Sequence, residues 1–362
     1  MRNAGRLLLG LLLCVLMTDA KAGPRWQAFK NWIDSADVKG ADSLYVRLPE
    51  QGFVAYLNTY LTGTHIRLDY EHEETADRIN NFSGILSTRA SALVSLACTY
   101  RGWGLSYSRD LSNYNDTEWS FMTYGQAYGA EFRIHNSNSL SGDLENKTIL
   151  PTEEVVSVNI DDCHQRTILT GLYYVVNHRR FSLPAAMSHT VLQLRSSGSW
   201  ILVANYHNQR TDVDRGVLSS MLGFEISKMG LKGRSCLNRL RQSELSIGAG
   251  YAYNWVFANS HCLLHASLLP LLSVWHSNRS YHSVELKNEA GVVIEEAQKL
   301  SYAIKQDMSL NAKMNLSFVY NKGRYLTGAQ WLLNFDTMNE HYGYLSLYSL
   351  DSSARLFIGV RF

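Results

Sequence analysis

From Ser309 to Tyr320 the chain alternates at every position. Leu310, Ala312, Met314, Leu316 and Phe318 point one way, and Ser309, Asn311, Lys313, Asn315 and Ser317 the other. A run of this length makes an extended strand of roughly 40 Å, enough to cross a bilayer core even when tilted. Such a strand is unusual in a soluble sandwich. The same period recurs where Trp119, Phe121 and Thr123 oppose Glu118, Ser120 and Met122, and where Tyr128, Ala130, Phe132 and Ile134 oppose Gly129, Glu131, Arg133 and His135. Between 245 and 257, Leu245, Ile247, Ala249, Tyr251, Tyr253, Trp255 and Phe257 oppose Ser246, Gly248, Gly250, Ala252 and Asn254. A soluble barrel packs bulk inside, whereas a barrel wall that meets lipid carries its bulk outside.

Turns supply the topology. Arg101-Gly102, Gly125-Gln126, His178-Arg179, Asn259-Ser260 and Asn321-Lys322-Gly323 each join two strand-like runs with residues that a hairpin tolerates. They alternate with longer connections at 71–89, 111–117, 137–165, 209–243, 277–303 and 336–341. With 53–70 and 342–362 each read as unbroken, the fold class is all-β: an antiparallel up-and-down transmembrane β-barrel of about 12 strands. The last strand ends Phe357-Ile-Gly-Val-Arg-Phe362, and a terminal Phe on its apolar face is the kind of signal read by barrel-assembly machinery. The segment 180–208 is too long for one strand and contains Pro184 and Gly198. It is expected to be a kinked strand or to fold inward as a short helix around 185–194.

Residues 1–22 carry Arg2 and Arg6, an apolar run from Leu7 to Met17, and Ala20-Lys21-Ala22, the pattern of a cleaved secretory signal. Residues 23–44 then form a periplasmic N-terminal segment. Within it, Trp26, Phe29, Trp32 and Ile33 share a helical stripe, and residues 45–362 form the barrel. No run beyond the leader is long and apolar enough for a membrane helix. The bias to 21 Tyr and 8 Trp against 5 Pro favours many strands instead. Near-balance of 34 basic and 32 acidic residues leaves no nucleic-acid footprint. Cys98, Cys163, Cys236 and Cys262 fit no zinc pattern, and a Cys163–Cys236 bridge between outer loops is one arrangement that an oxidising compartment permits.

Asn177-His-Arg-Arg-Phe-Ser-Leu-Pro-Ala-Ala-Met-Ser188, followed by Ser196-Ser-Gly-Ser199, resembles the domain-of-unknown-function family 4421, uncharacterised outer-membrane barrel proteins of Bacteroides-type bacteria. Tyr45-Val46, Pro49, Tyr100-Arg101-Gly102, Tyr124-Gly125, Tyr320-Asn-Lys-Gly-Arg324 and the last six residues extend the resemblance in order along the chain. Leu183 and Met187 depart from aromatics that are usual there. The resemblance implies a barrel and brings no activity, substrate or catalytic residue.

Alternation places Arg67, Asp69, Glu118, Glu131, Arg133, His135, His261, His265, Lys313, Asn315, Gln330, Asn334, Arg355 and Arg361 in the lumen. Charges of both signs facing a narrow interior must pair or stay wet. Three roles follow: a narrow channel or a binding barrel for a small polar solute or lipid, a lipid-modifying hydrolase, or a closed structural or adhesion barrel. The hydrolase needs Ser and His in hydrogen-bond reach, but in an extended chain Ser188 and His189 point to opposite faces. His261 and His265 are too far apart on a strand to share a metal, and no cofactor is implied. The apolar stretch 217–229 reads as an outer loop folded on itself. The candidate binding residues are Asn177, Arg180, Ser188, Gln193 and Ser197 in the distinctive motif, with Glu118, Glu131, Arg133, His135 and Lys313 in the lumen. The expected setting is the outer membrane, as a monomer, with membrane lipid and the assembly machinery as partners.

Overall fold

The computed structural model describes residues 40–75, 78–87, 91–111, 116–138, 140–146, 154–160, 164–212, 225–228, 231–287, 293–304, 308–339 and 345–362. The barrel strands are β1 (Phe53–Thr75), β2 (Ser91–Tyr100), β3 (Trp103–Asp110), β4 (Thr117–Tyr124), β5 (Tyr128–Ser137) and β6 (His164–Val175). They continue as β7 (Ser197–Asp212), β8 (Leu231–Phe257), β9 (Cys262–His276), β10 (Leu310–Lys322), β11 (Tyr325–Asn339) and β12 (Leu345–Arg361). Each pairs antiparallel with the next, and β12 pairs with β1, so 12 strands close on themselves. The unbroken reading of 53–70 and of the C-terminal strand holds: β1 and β12 stay paired from Val54↔Arg361 to Tyr70↔Leu345.

At one end the connections are tight. Arg101 and Gly102 sit at φ 45° and 87°, the left-handed pair that a two-residue hairpin requires. At the other end the expected long connections are largely extended chain. β1 runs on to Thr75 against Arg78–Ser87, Leu140–Asn146 pairs with Glu154–Ile160, and Asn278–Lys287 pairs with both β8 and Val293–Ile304. Turn residues mark where a strand may reverse, but they do not say how far pairing continues into water. The leader, the 25–36 stripe and most of 217–229 lie outside the described residues, as does the Cys163–Cys236 pairing.

The outer wall is apolar. Leu57, Leu61, Leu105, Phe132, Leu172, Leu202, Ile247, Leu264, Leu268, Leu272 and Ile358 are all exposed. Aromatic side chains cluster towards both rims: Tyr128 and Tyr174 lie 5.1 Å apart near the tight turns, and Tyr107 and Trp119 4.6 Å apart near the opposite end. So broad an apolar belt between aromatic girdles is a surface suited to a bilayer. On β8 the small face points inward, where a Cβ at Gly250 would stand 2.0 Å from the Leu268 carbonyl oxygen.

The interior is not polar throughout. At the tight-turn end it holds two apolar clusters of buried side chains. One includes Val175, Phe181, Leu183, Ile201, Val203, Leu269 and Leu271, and the other Val54, Ala185, Ala186, Leu263, Val319, Leu326 and Phe357. The chain between β6 and β7 enters the barrel here as a five-residue helix, α1 (Leu183–Met187), and leaves through a short strand, Leu192–Gln193, paired with Val46–Arg47. Two lumen assignments fail. Arg67 is exposed while its neighbour Ile66 is buried, and His261 lies in the β8–β9 turn with Nδ1 2.9 Å from the Ala258 carbonyl. The side chain of Asp69 lies outside the described residues.

Candidate functional site

The inward segment is fastened by polar side chains to walls all around the barrel. Asn177 begins it: its backbone N–H donates to Ser199 Oγ at 2.8 Å and its side chain to the Gly198 carbonyl at 2.9 Å, with Ser197 Oγ at 3.5 Å. Ser182 then caps α1, its Oγ accepting from Ala185 N, and Pro184 stands in the first turn where its missing N–H costs nothing. Gln193 is the central fastener. Its Oε1 accepts from Ser182 N at 2.8 Å and Asn254 Nδ2 at 3.3 Å, while its Nε2 donates to the carbonyls of Arg180 and Arg195. Gln126, in the β4–β5 turn, donates to the carbonyls of His178 and Phe181.

From the far wall, Tyr56 donates to the Ser188 carbonyl at 2.7 Å, Arg361 to the His189 carbonyl at 2.8 Å, and Ser317 to the Ala186 carbonyl at 3.3 Å. Phe181 covers His265, whose ring nitrogen lies 2.7 Å from Asn254 Oδ1. Strands on opposite sides of the ring thus grip the same short stretch of backbone. With apolar clusters packed around it, the segment occupies the lumen near the tight turns.

Of the motif residues, Asn177, Ser188, Gln193 and Ser197 make hydrogen bonds that hold this plug. Ser188 and His189 do not form a dyad: Ser188 Oγ bonds to the Pro184 carbonyl and Thr190 Oγ1, and the His189 ring packs 4.5 Å from Phe357. Arg180 faces out of the barrel end, 3.9 Å from Asp42 and stacked over Tyr45.

The lumen residues gather above the plug. Glu131 accepts from Tyr124 at 3.0 Å and from Tyr173, and it stands 3.5 Å from Lys313 Nζ, which also reaches Asn205 at 2.8 Å. Glu118 lies 3.8 Å from Arg133 and 3.5 Å from His135. So Glu118, Glu131, Arg133, His135 and Lys313 do come together, as one ion-pair group between the neighbouring strands β4 and β5 and one that reaches across the lumen from β5 to β10. Around them are two cavities of about 60 and 70 Å³ that share Arg133, Leu169, Leu332 and Asn334 in their linings. Since one water needs on the order of 10–15 Å³, each has room for a few waters or the polar end of a small solute.

Sequence reading missed a buried polar row on the wall. Asn58, Ser95 and Ser108 are direct cross-strand neighbours and fully buried, yet Asn58 Nδ2, Ser95 Oγ and Ser108 Oγ have no partner among the described residues. Arg355 stands beside them, its guanidinium 5.9 Å from the Tyr60 ring centroid and 5.2 Å from that of Phe357, and its Nε is unpartnered too. Buried donors in such a row call for ordered water or for acceptors on a bound molecule. The small polar inward positions of β1 and β2 were the available signal.

The family model described as "Domain of unknown function (DUF4421)" matches residues 40–362. Among solved structures, the chain is similar to the outer membrane protease OmpT from Escherichia coli at 7% identity, covering 87% of this chain and 97% of that one with a TM-score of 0.38. It is similar to the translocator domain of the autotransporter NalP from Neisseria meningitidis at 12% identity, 93% and 96% coverage and a TM-score of 0.32. Similarity to the toluene transporter TodX of Pseudomonas putida is 9%, with 87% and 90% coverage and a TM-score of 0.32. These likenesses are too distant to carry a function across. No curated protein matches the sequence.

Proposed function

This chain belongs to the DUF4421 family, and we propose that it is an outer-membrane binding barrel: a cup closed towards the periplasm that holds a small polar solute in its charged chamber. The apolar outer wall supports the membrane setting, and the tight turns at one end support a periplasmic orientation for that end. The observation that carries the reading is the plug. Residues 181–196 cross the lumen between two apolar clusters and are hydrogen-bonded to its walls, which supports an end closed to ions. A narrow channel is the weaker reading for that reason. The hydrolase lacks support because Ser188 is held by the plug's own groups and His189 packs on Phe357, away from the bilayer. Within the cup, Arg133, which lines both cavities, and Lys313 are the cations that a solute's acceptors would meet.

Planar-bilayer recording tests this directly. The intact protein is expected to be electrically silent, and a variant with 182–195 replaced by a short Gly-Ser link is expected to conduct. Steady conductance from the intact protein would overturn the binding-barrel reading.

A further inference from the structure

Near the long-loop end the outer wall carries a row of like charges. Arg166 of β6 faces Arg210 of β7, Arg210 faces Arg241 of β8, and Arg241 faces Arg279 on the strand Asn278–Lys287. Direct antiparallel neighbours share a face with Cβ atoms about 5 Å apart, so these side chains stand side by side. All four are exposed. In the next row out, Asp212 faces Arg239. Asp212 accepts from Arg210 Nε at 2.7 Å and also from Arg239, which stacks over Tyr281. That carboxylate is shared between two arginines, while Arg166, Arg241 and Arg279 have no ion pair among the described residues.

Like charges in direct register are destabilising, so the arrangement calls for anions from outside the chain. Its position says which. Below it on the same wall come first Ile168, Asn208 and Ser243, and then Tyr206, Leu245 and Trp275, with Leu245 directly opposite both Tyr206 and Trp275. The row therefore lies where the apolar belt gives way to polar surface, at headgroup level. Guanidinium forks match phosphate oxygens in geometry and charge.

We propose that Arg166, Arg210, Arg241 and Arg279 form a binding site for the phosphates of anionic lipids in the outer leaflet. This rests on the reading that the barrel spans the membrane with its long loops outward. Each exposed arginine at a membrane surface is worth about a fivefold change in affinity, and the attraction weakens with salt.

The test uses full-length protein in phosphatidylcholine vesicles with and without phosphatidylglycerol. Wild-type protein is expected to enrich phosphatidylglycerol in its retained lipid and to unfold at a higher temperature when it is present. The triple variant Arg166→Gln/Arg241→Gln/Arg279→Gln is expected to lose affinity by on the order of a hundredfold, and Arg241→Gln alone by about fivefold. Arg324→Gln, at the tight-turn end, is expected to behave as wild type. Equal enrichment by wild type and the folded variants, or no preference in wild type, would overturn the site. So would equal protection by soluble inositol hexakisphosphate in neutral vesicles, which would make the row a site for a free polyanion. Failure of the wild-type protein to insert into either vesicle is a separate outcome that sinks the bilayer reading, and the proposal with it.

Discussion

The two halves of the lumen are built by opposite rules. Towards the tight turns, inward positions such as Val175, Leu263 and Val319 are apolar and pack in the clusters that α1 and Phe181 join. Further towards the long loops, Glu118 of β4, Glu131 and Arg133 of β5 and Lys313 of β10 turn inward around small cavities, one of which Leu183, Ile201 and Leu269 help to line. One barrel thus joins a dry core, which supplies stability, to a wet chamber, which supplies polar chemistry. A barrel wall on its own has no interior core. Folding a loop inward creates one.

That contrast orders the effects of substitution. Phe181→Ala removes a fully buried ring from the plug and should cost about 3–5 kcal/mol, read as the shift in urea unfolding of the folded barrel in lipid. Gln193→Leu keeps the bulk but strips partners from Ser182 N, from the amide of Asn254 and from the carbonyls of Arg180 and Arg195. It should cost roughly 2–4 kcal/mol, with faster proteolysis within 181–196. Glu131→Gln, in the wet half, should cost only about 1–2 kcal/mol because Lys313 keeps Asn205 and access to water; adding Lys313→Met should recover part of the loss. Glu118→Gln should be smallest, about 1 kcal/mol or less, since its contacts to Arg133 and His135 are long. If Glu131→Gln proved as damaging as Phe181→Ala, the division into dry and wet halves would be wrong.

Much of the barrel was legible because two signals reinforced each other. Alternation set the faces of β4, β5, β8, β10 and β12, and turn residues set the number of strands. The plug was legible only in outline, through the excess length of 180–208 and Pro184. A five-residue helix is too short to show a period, and Gln126 and Gln193 look like ordinary polar residues until their partners are known. The dry core was hidden for a different reason. In β9, Leu263, Leu264, Leu268, Leu269, Leu271 and Leu272 make both faces apolar, so alternation cannot say which of them meet lipid and which meet α1.

Arg67 shows the limit of the rule itself. Alternation in Ile66-Arg67-Leu68-Asp69 predicts Arg67 inward, as it would be at bilayer depth. This part of β1 lies towards the long loops, where pairing with Arg78–Ser87 has begun and both sides of the wall can meet water. There the apolar Ile66 turns inside and Arg67 out.

Amide hydrogen exchange across 181–196, with the barrel in lipid, tests the central claim most directly. The N–H groups of Ser182, Ala185, Ser188 and His189 are bonded inside the barrel. They are expected to exchange as slowly as neighbouring strand amides of β8 and β10. Exchange within seconds, at the pace of an exposed surface loop, would mean that the segment does not fill the lumen, and the closed cup would have to be given up.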